Sequence, residues 1–299
     1  MKKKIQKVLV IVGPTATGKS ALAVEIARKF DGEIISADSR QVYRGLDVGT
    51  GKIIKKEMRG IPHHLLDVAS PKKQFSVAEY QTLAQNKIAD ILARGKLPII
   101  CGGTGLYVDA ALGRAVFPEV PPNPALRAKL EQKSPEALFA MLQEIAPERA
   151  RTIDRHNPRR LVRALEIASA GSNNNISIRP YDNVLWLGLT LPLDILKRKI
   201  HTRLLTRINK QDMISETRRL HAKGLSWKRM EALGLEYRYL SSYLRGRITK
   251  EEMTAKLQTE IYRYARRQMT WFKRNKEIRW FAPSQKKEIF ATIKNALGD

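Results

Sequence analysis

Residues 8 to 20 read VLVIVGPTATGKS, and no other stretch restricts the fold as tightly. Val8 to Val12 are apolar and mostly β-branched, the pattern of a strand buried on both faces. Gly13 to Ser20 then matches G-x-x-x-x-G-K-[ST], and Ala21, Leu22, Val24, Ile26 and Ala27 continue with the apolar face of a helix. Strand, glycine loop and helix come in the order that a phosphate cradle needs. Gly13 and Gly18 let the chain turn so that backbone N–H groups along Pro14, Thr15, Ala16, Thr17, Gly18, Lys19 and Ser20 point inward, apart from Pro14, which has no N–H. The helix N-terminus adds partial positive charge. Lys19 adds a full charge, and the Ser20 hydroxyl is a ligand for a Mg²⁺ ion that bridges phosphate oxygens. The motif leaves open whether the phosphate is transferred or departs.

The pattern around the loop predicts an α/β fold: a P-loop core with a parallel sheet flanked by helices, plus a helical insertion domain. Glu33 to Asp38 reads as a second apolar strand and Leu97 to Cys101 as a third, with a helix over Val77 to Arg94 before it. Strands alternating with helices make a parallel sheet, and ligands collect at the carboxyl ends of its strands. The stretch FPEVPPNP breaks regular structure. From Ala125 to about Ala170 the pattern is helical and arginine-rich, GSNNNISIRP is a polar loop, and Val184 to Pro192 resumes as a strand. The expected division is 1–117 and 181–299 for the core, with 118–180 as the insertion. The remainder reads as helical with a late strand at Ile278 to Phe281.

Lys and Arg number 55 against 29 Asp and Glu, a net charge of +26, denser toward the C-terminus. An excess of this size points to a polyanion partner, most simply nucleic acid. The single cysteine, Cys101, excludes internal disulfides and a Cys-based zinc site within one chain and suits a reducing cytoplasm. No apolar stretch reaches membrane-spanning length, and the start MKKK runs straight into the first strand and the phosphate loop, so no secretion signal is read. The expected protein is a cytoplasmic monomer. His63 and His64 are adjacent without further ligands nearby and read as structural.

Asp38 closes the second strand beside the phosphate loop. Its position fits a magnesium-associated carboxylate, as in P-loop kinases, a general base aimed at a second substrate, or a turn aspartate; spacing does not separate these. The stretch that follows resembles the tRNA dimethylallyltransferase (isopentenyl-tRNA transferase) family, bacterial type. There a P-loop is followed by D-S-x-Q-V-Y and D-I-G-T-A-K-P; here stand Asp38, Ser39, Gln41, Val42 and Tyr43, then Asp47, Val48, Gly49, Thr50, Gly51 and Lys52. PHHLLDV, GGTGLYVDA, NPRRLVRALEI and YARRQMTWFKRN resemble further blocks of that family, in family order and across nearly the whole chain. The chain departs from the pattern at Gly51 and Ile53, at GLEYRYL in place of G-Y-K-E-L, and at QDMISET in place of a Gly-Leu stretch.

The resemblance implies transfer of a dimethylallyl group from dimethylallyl diphosphate to the exocyclic amine of an adenosine beside the tRNA anticodon, with diphosphate leaving. It implies catalytic roles for Asp38 as base and for Lys19 and Arg203 on the diphosphate, with Mg²⁺ on Ser20. It places Asp38, Ser39, Arg40, Gln41, Thr104, Arg127, Arg159, Arg160, Leu161, Val162, Arg163 and Glu231, Ala232, Leu233, Gly234, Leu235, Glu236 toward the tRNA anticodon stem-loop. A base attacked inside the site must leave its stack, and anticodon loops offer unpaired bases that splay out. Two rival readings carry the same motif: a small-molecule or nucleotide kinase with Asp38 on magnesium, and an RNA-binding module with a vestigial nucleotide site.

Overall fold

A computed structural model describes residues 7–115, 117–118, 120–171 and 180–298. It divides into two compact units, Met1–Ala115 with Pro180–Asp299, and Val116–Arg179.

In the larger unit the chain runs β1 (Val8–Val12), α1 (Lys19–Lys29), β2 (Gly32–Ser36), α2 (Lys55–Met58), β3 (His63–His64), α3 (Val77–Ala93), β4 (Leu97–Cys101) and α4 (Gly105–Ala111). The smaller unit holds α5 (Pro124–Leu130), α6 (Pro135–Ile145), α7 (Pro147–Ala150) and α8 (Pro158–Ser169). The larger unit then resumes with β5 (Val184–Leu189), α9 (Leu193–Asn209), α10 (Met213–Ala222), α11 (Trp227–Leu233), α12 (Leu235–Leu244), α13 (Lys250–Phe272), β6 (Arg279–Phe281) and α14 (Lys286–Leu297).

The six strands form one parallel sheet in the order β3-β2-β4-β1-β5-β6. β1 is central, with Leu9 opposite Ile99 on one side and Leu185 on the other. Both of its faces are buried, which explains the unbroken apolar run in place of an alternating one. Leu9, Ile11, Ile99 and Leu187 pack with Leu22, Ile26, Ile289 and Ile293, so α1 and α14 cover one face. On the other, α3 packs on β2 and β4, and the Tyr80 hydroxyl donates to the Ser36 carbonyl at 3.0 Å. A second cluster joins Leu196, Leu204, Met213, Leu240, Leu257 and Ala265 from α9, α10, α12 and α13. Capping boxes set two helix starts: Ser76 with Glu79 opens α3 and Thr249 with Glu252 opens α13.

The two-residue β3 is absent from the sequence expectation because it has no apolar run. It joins the sheet edge through Ile34 and Ile35, and His64 Nε2 sits 2.8 Å from Glu33. Glu33 is held in turn by Arg94 and, at 3.3 Å, Lys96. The Arg94 guanidinium is the main reason its carboxyl is pulled down to about 2.

In the smaller unit α5, α6 and α8 open on an Asn or Ser cap followed by proline: Asn123, Ser134 and Asn157 each accept a hydrogen bond from a first-turn N–H. Leu130, Leu138, Leu142, Leu161, Val162 and Leu165 form its core. Most of the polar stretch GSNNNISIRP lies outside the described residues.

Candidate active site

The phosphate loop leaves β1 at Gly13 and enters α1 at Lys19, with Gly18 at a φ of 90° as N-cap. The Pro14 carbonyl accepts from the Thr17 hydroxyl at 2.9 Å and from Lys19 Nζ at 2.7 Å, which ties the loop to its own lysine. The Thr15 N–H donates to Gln268 Oε1 at 2.8 Å. Among the described residues the amides of Ala16, Thr17 and Gly18 meet no protein acceptor. Those of Lys19 and Ser20 begin the helix, where no preceding turn exists to accept from them. Five consecutive N–H groups are thus available to an anion at a helix N-terminus. Burial pulls the Lys19 ammonium down to about 8, opposed by charge coupling to Cys101 and Asp38 and reinforced by Arg203.

The cradle opens on a cavity of about 1120 Å³ within the larger unit. Thr15, Ala16, Gly18, Lys19 and Ser20 line it, and so do Asp38, Ser39, Arg40, Gln41, Arg203 and the segment Leu233–Glu236. β2 stops at Ser36, two residues short of the Asp38 end expected from the apolar run, and the Oδ1 of Asp38 accepts from the Arg40 and Gln41 amides at 2.8 and 3.3 Å. Both bonds fall on the same oxygen, so the other carboxylate oxygen has no protein donor among the described residues. The loop after β4 braces this turn. Thr104 N–H donates to the Ala37 carbonyl at 3.1 Å, and its hydroxyl accepts from Ser39 N–H at 3.1 Å. Burial pushes the Tyr264 phenol up to about 12 and the Cys101 thiol to about 11, so both stay protonated at the cavity wall near neutral pH.

Arg203 projects from α9, and its Nη2 donates to the Gly51 carbonyl at 3.0 Å. Gly51 has a φ of 61°, and a Cβ built there would overlap the Arg203 guanidinium. The glycine that stands where the resembling family has alanine therefore makes room for this arginine's resting position.

The loop Asp47–Gly49 hangs from a group the sequence reading missed. Glu216 is buried, and its carboxylate accepts from the amides of Asp47 (3.0 Å), Val48 (2.7 Å) and Gly49 (2.9 Å) and from the Tyr237 hydroxyl (2.8 Å). Arg207, also buried, donates to the Gly49 carbonyl at 2.7 Å and to Glu236 at 3.1 Å. Lys52 ties the far end of the loop to Asp47 at 2.7 Å.

The residues expected to face RNA separate into groups. Asp38, Ser39, Arg40, Gln41, Gly234, Leu235 and Glu236 share the cavity. Thr104 stands behind Ser39, Ala232 is exposed, and Glu231 accepts from Arg245 at 2.9 Å. Two expectations need correction: Leu161 and Val162 turn into the hydrophobic core of the smaller unit, because each falls on the apolar stripe of its helix, whereas Leu233, also buried, stands at the cavity wall. In the smaller unit Arg159 and Arg160 are exposed. Arg127 instead forks onto the buried Glu166 at 2.8 and 2.7 Å, and Arg163 reaches the same carboxylate at 3.3 Å. These two guanidiniums neutralise a buried charge within their own unit.

Among the described residues no group of three or more His, Cys, Asp or Glu side chains is placed to hold a metal by itself. Ser20 lines the cavity, and its hydroxyl has no protein partner among the described residues, which fits a hard cation that takes most of its ligands from substrate phosphates and water.

A parallel sheet whose phosphate loop, strand-end carboxylate and arginine share one cavity defines a P-loop protein. The model of the family described as IPP transferase matches residues 41–275. A tRNA dimethylallyltransferase of Thermomicrobium roseum is 41% identical over 290 residues, covering 94% of this chain and 88% of the relative. That of Bacillus subtilis is 37% identical, covering 98% of both. The crystal structure of full-length tRNA isopentenylpyrophosphate transferase from Bacillus halodurans superposes with a TM-score of 0.74 at 36% identity, over 98% of this chain and 97% of that one. A eukaryotic dimethylallyltransferase acting on tRNA gives 0.76 at 26% identity, over 90% and 70%. The chain belongs to the IPP transferase family.

Proposed function

We propose that this chain transfers a dimethylallyl group from dimethylallyl diphosphate to the exocyclic amine of the adenosine adjacent to the anticodon in tRNA. The observation that carries the reading is the shared cavity: the anion cradle and Asp38 open on one space, which suits a leaving diphosphate and an attacking amine held side by side. In the reaction the new N–C bond forms as the allylic C–O bond breaks. The amine proton passes to the uncommitted oxygen of Asp38, and the electron pair of the broken bond leaves on diphosphate. The amides of Ala16 to Ser20, the Lys19 ammonium and the Arg203 guanidinium would stabilise the charge that grows there, which is where fixed donors accelerate a reaction most. An adenine amine is a poor nucleophile because its lone pair is delocalised into the ring, and general-base help is worth roughly 10²–10⁴ in rate.

Magnesium, held by Ser20 and the diphosphate oxygens, would add charge neutralisation to the leaving group. The net charge of +26 and the exposed Arg159 and Arg160 suit the phosphates of an anticodon stem-loop. No helix among the described residues is long and apolar enough to cross a membrane; we read the enzyme as a monomer working in the cytoplasm.

The test is mass spectrometry of nucleosides from tRNA incubated with the chain, dimethylallyl diphosphate and Mg²⁺. A dimethylallyl adduct on adenosine is expected, lost by roughly 10²–10⁴ in rate in Asp38→Ala with tRNA affinity kept. Unmodified tRNA, or γ-phosphoryl transfer from ATP to an acceptor, would overturn it.

A further inference from the structure

Gln268 lies on α13 and is 5% exposed, yet it lines the active-site cavity. Its carboxamide makes two hydrogen bonds of opposite sense. Oε1 accepts from Thr15 N–H at 2.8 Å, in the first turn of the phosphate cradle. Nε2 donates to the Gly103 carbonyl at 2.9 Å, in the loop after β4. Gly103 precedes Thr104, which bonds to Ala37 and Ser39, the two neighbours of Asp38. One side chain thus links the wall that holds the leaving group to the wall that holds the base. Pairing among β1, β4 and β2 sets the spacing of the strands; the loop tips beyond them depend on this bridge.

The contact is specific to an amide. It must accept from an N–H and donate to a C=O at once, which no carboxylate or hydrocarbon does. The fit is tight: a Cβ built on Gly103 would overlap Gln268 Nε2. Nor is the helix free to slide, because Trp271, three residues on, packs over Gly105 and donates through Nε1 to Asp109 at 3.2 Å.

We propose that Gln268 is a positioning residue that sets the separation between the diphosphate cradle and Asp38, and so governs the rate of transfer rather than the binding of either substrate. The proposal rests on the prenyl-transfer reading above. Misplacement by about 1 Å costs roughly a hundredfold in rate. Gln268→Glu keeps the acceptor toward Thr15 but turns a lone pair on the Gly103 carbonyl, whereas its protonated form restores the donor.

The experiment is single-turnover transfer by wild type and Gln268→Glu at saturating substrates, across pH 5.5 to 8.5, with tRNA and diphosphate affinities measured in parallel. The expected result is a loss of roughly a hundredfold at pH 8, tRNA affinity within about threefold of wild type, and a deficit that shrinks as pH falls; diphosphate affinity is judged in the uncharged Gly103→Ala and is expected within about threefold of wild type. Gly103→Ala, which displaces the amide without altering it, should lose rate at every pH. Three results overturn the proposal: rates within about threefold of wild type, a loss in Gly103→Ala matched by lost diphosphate affinity, or a deficit in Gln268→Glu that does not change with pH. Wild type inactive in the same assay sinks the functional reading itself, and this inference with it; active wild type with an unaffected variant sinks only the role of Gln268.

Discussion

Glu216→Gln removes one charge from a group that touches no substrate, and its cost follows from four hydrogen bonds. The two carboxylate oxygens accept from three backbone amides and one phenol, and no neighbour asks Glu216 to donate. The variant's NH₂ must replace one oxygen. At the Oε2 position it would confront the Asp47 and Val48 amides together; at Oε1 it confronts the Gly49 amide and Tyr237, whose hydroxyl can rotate to accept. The second arrangement costs less. It leaves one buried N–H unsatisfied, about 1–3 kcal/mol, and turns two charge-assisted bonds into neutral ones, about 1 kcal/mol each. Relief of burying a carboxylate offsets part of this, so the net loss is about 3 kcal/mol. All four tryptophans, Trp186, Trp227, Trp271 and Trp280, lie in the larger unit, so tryptophan fluorescence during urea unfolding reports on the unit that holds Glu216. Tyr237→Phe removes one bond and leaves the three amides served, a loss of about 1 kcal/mol. Activity should fall too, because the same loop carries the Gly51 carbonyl that receives Arg203. Equal losses in the two variants, or a Glu216→Gln protein within about 0.5 kcal/mol of wild type, would refute the account of this loop.

Two further expectations concern pH. The Lys19 ammonium, pulled down to about 8, is charged below that pH and neutral above it. Calorimetric affinity for dimethylallyl diphosphate should therefore weaken about tenfold per unit above pH 8, and constant affinity to pH 9.5 would contradict the assignment. Glu33 behaves in the opposite sense. Its carboxyl is depressed to about 2, so its contribution is complete above the ordinary carboxylate range near 4.5 and is lost as pH falls through 2. Glu33→Gln should lose about 2 kcal/mol at pH 7, because a neutral amide replaces a buried carboxylate that accepts charge-assisted bonds from the exposed Arg94. The gap to wild type should narrow between pH 4.5 and 2, as read by urea titration at each pH.

The strands were legible where burial on both faces makes an apolar run, as in Val8–Val12 and Leu97–Cys101. The cradle was legible because its spacing is set by covalent geometry and charge. Besides the two-residue β3, what was not legible around the site shares one form: polar residues in the apolar registers of helices. Glu216 falls between Met213 and Leu220, Arg207 between Leu204 and Ile208, Glu166 beside Leu165, and Gln268 between Ala265 and Phe272, all buried. A periodicity reading treats such residues as interruptions of a hydrophobic face. Burying them is costly unless every donor and acceptor is met, and that cost makes them informative. Three of the four reach a loop of the cavity: Glu216 and Arg207 hold Asp47–Gly49, and Gln268 joins the cradle to Gly103. The fourth gives two arginines of the smaller unit a partner that the sequence does not show. Arg127 and Arg163 look like RNA contacts in a list of charges, but Glu166 already engages both. Charge composition counts guanidiniums without their partners, whereas a lone acid on an apolar stripe marks which of them are committed. In this chain that pattern separates Arg127 and Arg163 from the exposed Arg159 and Arg160, and the latter pair is where loss of charge should be felt in tRNA affinity.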